Sequence, residues 1–161
     1  MGIDVRTRAC SINATRFRLI LSCAVALLWV ACSGGGGGGG SVIREVEPNG
    51  EETNGQPIRG TAPGTRHRIR GTIINEADVD GFRSTLFGPQ TIILTLTHGA
   101  GVDFDVVAVD ADTDEIYAFC ESESSPDSCS FDFFESEADV IFAVGSFVGA
   151  GDYQLHIESV G

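Results

Sequence analysis

The chain has no lysine, and after Arg83 it has no basic residue except two histidines. The 78 residues from Ser84 onward hold fifteen acids and no arginine. After residue 32, 22 acids face six arginines, a net charge near −16. That balance excludes a nucleic-acid partner, which needs a basic footprint to displace counterions. It also argues against docking on anionic lipid heads. Catalytic signatures are equally scarce. The three histidines (His67, His98, His156) show no metal-ligand spacing such as H-x-x-x-H, and no G-x-S-x-G is present. Paired carboxylates are numerous, but so many acids in so short a chain make pairs inevitable, and an enzyme is not expected. Helical periodicity is missing too: no stretch after residue 41 keeps a 3.6-residue apolar period for three turns. Nor does any apolar run reach the ~20 residues that a membrane-spanning helix needs.

The longest such run is thirteen residues, Leu19 to Ala31, behind four arginines (Arg6, Arg8, Arg16, Arg18) and one acid, Asp4. A basic flank, a short apolar segment and small residues at its exit describe a secretory signal peptide over residues 1–31. The exit, Trp29-Val30-Ala31-Cys32, resembles a bacterial lipobox, which implies cleavage before Cys32 and acylation of that cysteine as a membrane anchor. Trp29 stands where leucine is usual, and a plain signal-peptidase cut after Ala31-Cys32-Ser33 is the rival. Seven glycines, Gly34 to Gly40, follow. Polyglycine forms regular structure only at a large entropic cost. Residues 32–42 are therefore a tether, with a reach of roughly 17 Å for about ten residues of flexible chain.

Of five cysteines, Cys10 and Cys23 fall in the signal segment, and Cys32 is either acylated or removed. Cys120 and Cys129 remain, an even pair flanking the turn-rich stretch ESESSPDS. In an oxidising compartment the pair is expected to form a disulfide at the base of a hairpin rather than remain two separate thiols.

Residues 43–161 are long enough for one domain with its own core. Strands are expected at Arg66 to Ile74, Phe82 to Leu86, Thr91 to His98, Phe104 to Val109, Glu115 to Cys120, Ser130 to Phe134, Val140 to Val148 and Asp152 to Ile157. Each is short and rich in Val, Ile, Phe, Tyr or Thr. In the last, Tyr153, Leu155 and Ile157 share one face. Turn signals such as Phe87-Gly88-Pro89 and Gly149-Ala150-Gly151 separate them. The expectation is an all-β fold, an antiparallel β-sandwich of about eight strands.

Several motifs occur in order: Glu45-Val46-Glu47-Pro48-Asn49, Pro57-Ile58, Gly71-Thr72-Ile73, Asp78-Val79-Asp80-Gly81-Phe82, Ala143-Val144 and Gly151-Asp152-Tyr153-Gln154-Leu155. Over residues 43–159 the chain resembles the bacterial pre-peptidase C-terminal domain, related to the collagen-binding modules of secreted collagenases. The resemblance implies a jelly-roll-like sandwich without catalytic machinery, and a calcium ion near its N-terminal end. Carried over residue by residue, Glu45, Glu47 and Asn49 match the opening ligands, and Asp78 and Asp80 the second group. The chemistry suits calcium, a hard cation that takes six to eight oxygens. The competing reading makes Pro48-Asn49-Gly50 and Asp80-Gly81 ordinary turns.

Asp110, Asp112 and Asp114 have the alternation of an EF-hand loop, but Glu115 stands where that loop needs glycine, so a hairpin turn is expected. Phe131 and Phe133 should face the core, leaving Phe134 outward as a binding contact. The functional expectation is an exported, lipid-anchored, non-catalytic binding or accessory module of the cell envelope, placed at the outer membrane or, without the anchor, secreted. Its partner would be an envelope or extracellular protein or polysaccharide. A structural lipoprotein docking to another membrane component is the alternative, and a small hydrolase is the least supported.

Overall fold

A computed structural model describes residues 42–50, 55–122 and 124–161. The signal segment, Cys32 and the polyglycine tether lie outside the described residues. The strands are β1 (Val42–Arg44), β2 (Gln56–Pro57), β3 (Arg66–Ile73), β4 (Val79–Phe87), β5 (Gln90–His98), β6 (Asp103–Asp110), β7 (Ile116–Cys120), β8 (Asp127–Phe133), β9 (Glu137–Val148) and β10 (Gly151–Val160). They form two five-stranded sheets, ordered β1-β3-β10-β5-β8 and β2-β4-β9-β6-β7. All eight expected strands are present. β1 and β2 are additions, pairing in parallel with β3 and β4 at one edge of each sheet. The fold is thus all-β, with antiparallel ladders everywhere except those two edges.

Alternation builds the core. On β10, Tyr153, Leu155 and Ile157 turn inward, and on β5 so do Ile92, Leu94 and Leu96. Phe82, Phe104, Phe133 and Phe142 meet them from the strands around. Each such side chain contributes about 1.5–3 kcal/mol by leaving water. On β9, Val140 to Val144 are buried on both faces, because Ile141 and Ala143 join Val107 in a smaller cluster on the outer side of their sheet. Phe131 and Phe133 face inward as expected, and Phe134, just past β8, is 81% exposed.

One end of the interior is closed by polar side chains. Thr61 Oγ1 lies 2.9 Å from His67 Nε2 and 2.8 Å from Ser84 Oγ, while Gln90 donates to the Thr61 carbonyl at 3.0 Å and accepts from Ser159. Burial, with the charge of Arg59 second, holds the pKa of His67 below its usual value. Ser84 is buried, and its bonds to Thr61 and to the Arg59 carbonyl satisfy it within the core.

Cys120 and Cys129 form a disulfide with Cα atoms 5.6 Å apart. The expectation of a clipped hairpin is corrected here. β7 pairs with β6 and β8 with β5, so the bridge joins the edge strand of one sheet to the edge strand of the other. The Asp110 segment is a turn, as expected. Asp110 Oδ1 accepts from the backbone N–H groups of Asp112 (2.9 Å) and Thr113 (2.7 Å), and Oδ2 accepts from the Tyr117 hydroxyl at 3.0 Å. Burial works to raise the pKa of Asp110, but these bonds outweigh it and hold the group below its usual value.

Candidate metal centre

Glu45 follows β1 directly. Its backbone N–H donates to the Arg70 carbonyl at 2.9 Å, and its Oε2 accepts from the Thr72 N–H at 2.6 Å, which fixes the carboxylate over β3. Glu47, two residues on, accepts the Asn49 N–H at 3.0 Å. The chain then crosses the start of β4, where Gly81 donates to the Asn49 carbonyl at 3.0 Å. Alternation on β4 aims Asp80 inward with Phe82, Ser84 and Leu86. Glu45, Glu47 and Asp80 thereby bring carboxylate oxygens within 4.8 Å of one another. Calcium–oxygen distances of about 2.3–2.6 Å place opposite ligands roughly 5 Å apart, so this spread suits one ion.

Asp80 has 0% exposure, and neither of its oxygens has a partner among the described residues. Asn49 is 1% exposed, with its side-chain oxygen and nitrogen both unpartnered. Buried polar groups without partners are costly, so these two residues stand out among the described ones. Burial pushes the Asp80 carboxyl up to about 7; the Tyr153 hydroxyl pulls it the other way, and the charges of Glu45, Asp78 and Glu47 add to the rise. Tyr153 stands beside Asp80 without a hydrogen bond of good geometry, and its own pKa is raised by burial and by that carboxylate. Glu45 is raised as well, by burial first, against the Thr72 N–H, and by Glu47.

Asp78, expected as a ligand, is bonded within the β3–β4 turn. Its Oδ2 accepts from the Ile74 N–H at 2.7 Å, and its own N–H donates to the Asn75 carbonyl at 3.0 Å, holding the β3–β4 turn. It stands outside the three-carboxylate group, and its charge adds to the rise of the Asp80 pKa. Two residues at the site were not selected from the sequence as part of it. Tyr153 supplies the phenol. Gly71 supplies room: a Cβ there would overlap the Tyr153 hydroxyl and the Glu45 carboxylate. Both lie in the quoted motifs, yet neither offers a charged oxygen by which to be found. A shallow cavity of about 360 Å³, lined by Arg44, Arg70, Thr72, Asp152 and Tyr153, opens beside Glu45.

No family profile and no curated protein matches the sequence. Among solved structures, the chain is similar to the pre-peptidase C-terminal domain of a collagenase from Bacillus anthracis. The TM-score is 0.52 at 16% identity, covering 65% of this chain and 96% of that one. It is also similar to a periplasmic inhibitor of g-type lysozyme from Aeromonas hydrophila, with a TM-score of 0.48 at 9% identity over 65% and 99% of the two chains. A mitogen from Yersinia pseudotuberculosis stands at the same TM-score and identity, over 61% and 87%. The described domain thus shares its fold with the collagenase's pre-peptidase C-terminal domain.

Proposed function

We propose that the chain is a non-catalytic, calcium-stabilised binding or accessory module, exported and held at the bacterial cell envelope. The observation that carries the metal is Asp80: a fully buried carboxylate with both oxygens unpartnered among the described residues, facing Glu45 and Glu47. In this reading Glu45, Glu47 and Asp80 hold the ion, and Asn49 contributes its buried amide oxygen. Bound calcium would fasten the segment after β1 to the start of β4. The ion has a structural part here, because the described residues place no nucleophile and base beside it. The fold shared with an accessory domain of a secreted enzyme supports a binding role toward an envelope protein or polysaccharide, with Phe134 as a contact. Acylation at Cys32 would supply the anchor.

Calcium titration followed by thermal melting tests the metal. At a hundredfold excess over Kd, stabilisation should be about 2.7 kcal/mol. Asp80→Ala should abolish the response, whereas Asp78→Ala should lower the melting temperature and keep it. A melting temperature indifferent to calcium and chelator would refute the site. Mass spectrometry of the mature N-terminus reads the lipid directly.

A further inference from the structure

The same end of the sandwich holds a second set of groups that the calcium site does not use. His98 ends β5, Asp103 and Asp105 open β6, and Asp127 opens β8. Alternation places His98 in line with Leu94 and Leu96, and Asp127 in line with Phe131 and Phe133, so both point between the sheets. The His98 ring packs against Phe104 with centroids 5.5 Å apart. Its Nδ1 lies 3.1 Å from the Gly99 carbonyl oxygen. A carbonyl only accepts, so in the neutral ring Nδ1 carries the proton and Nε2 presents a lone pair.

That nitrogen is buried and has no partner among the described residues. The same holds for Asp103 Oδ1 and Asp127 Oδ2. Asp127 is 5% exposed, so its orphaned oxygen is not rescued by bulk solvent. These three electron-pair donors have no hydrogen to satisfy them among the described residues, and the fold brings their backbones close: Asp127 pairs with Leu96, two residues before His98, and the His98 ring packs against Phe104, next to Asp103. A backbone carbonyl fixing the far nitrogen is how imidazole ligands are commonly oriented. Imidazole with carboxylates favours borderline cations over calcium, which prefers oxygen alone.

We propose that His98 Nε2, Asp103 and Asp127 form a site for a divalent transition cation of the zinc type, with Asp105 at its rim. Unlike the calcium group, these atoms do not all lie within 4.8 Å of one another, so binding must draw a side chain inward. Asp103 sits where the β6–β9 register shifts, between it and Phe104. The frame itself is held by Phe104 and by the Cys120–Cys129 bridge, two residues from Asp127.

The test uses the untagged full chain, with calcium present to occupy the other site, and zinc chloride as the probe. The chain has three histidines, so each imidazole is resolved by NMR. One equivalent of zinc should shift the His98 ring signals. His67, enclosed by Thr61 and Ser84, and His156, bonded to Gln154, should be unmoved. Zinc should also raise the melting temperature, and His98→Gln or Asp127→Asn should weaken its binding at least tenfold. The proposal is overturned if no imidazole responds, if His156 responds in place of His98, or if His98→Gln leaves the zinc shift intact. The wild-type spectra decide the matter even if a variant fails to fold.

Discussion

Asp80 is the residue whose surroundings most constrain what the molecule does. Its pKa is raised to about 7, mainly by burial, from an ordinary value of 3.8. A carboxyl with a folded-state pKa above its unfolded one stabilises the fold fully at low pH, and that contribution is lost as pH rises through the folded value. The calcium-free domain should therefore lose stability between about pH 4 and 7. Calcium should reverse the slope, because the ion binds the ionised form. Urea unfolding across this range, with and without calcium, checks both signs, and Asp80→Asn should flatten the calcium-free curve. Gly71 gives a second prediction. Gly71→Ala should destabilise by about 1–3 kcal/mol, the usual cost of overpacking, and weaken calcium binding, since the methyl would overlap Tyr153 and Glu45. Asn49 and Asp80 could be picked from the sequence by residue type and motif. Asp78 could not be told apart from them, because its role depends on the fold of the β3–β4 turn.

Among the elements, the eight strands β3 to β10 were legible because each is five residues or longer, rich in Val, Ile, Phe, Tyr or Thr, and bounded by turn signals. β1 and β2 were not, having three and two residues, too few for a period to show. Their parallel pairing depends on where the N-terminal segment returns, which is a property of the whole sandwich. The partner sheets of Cys120 and Cys129 were hidden for the same reason: a spacing of nine shows that a short loop can close, not which ladder each end joins. Reducing this bridge should cost about 2–3 kcal/mol by the loop-entropy argument. Urea unfolding should register a lower midpoint in reductant, and hydrogen exchange should show the loss concentrated in β7 and β8.

The whole molecule carries its acids and arginines unevenly. Three of the six arginines after residue 32 alternate along β3 (Arg66, Arg68, Arg70), and Arg44 stands beside Arg70 on β1. Only Arg66 and Arg83 form ion pairs among the described residues, with Glu158 at 2.6 Å and Asp139 at 2.7 Å. A net charge near −16 repels itself, and salt screens that repulsion over about 10 Å at 0.1 M. The calcium-free domain should therefore melt higher in sodium chloride than in dilute buffer, with the gain shrinking once calcium is bound.

The placement of β1 has a mechanical consequence. Tension applied through the chain before Val42 would be met first by the three-residue ribbon laid along β3. Next in the line of pull come Glu45 and Glu47, which in the calcium reading would be clasped to Asp80 by the ion. The cation would thus act as a buckle at the N-terminal end of the domain, and stretching a single molecule should peel that strap at lower force when chelator is present.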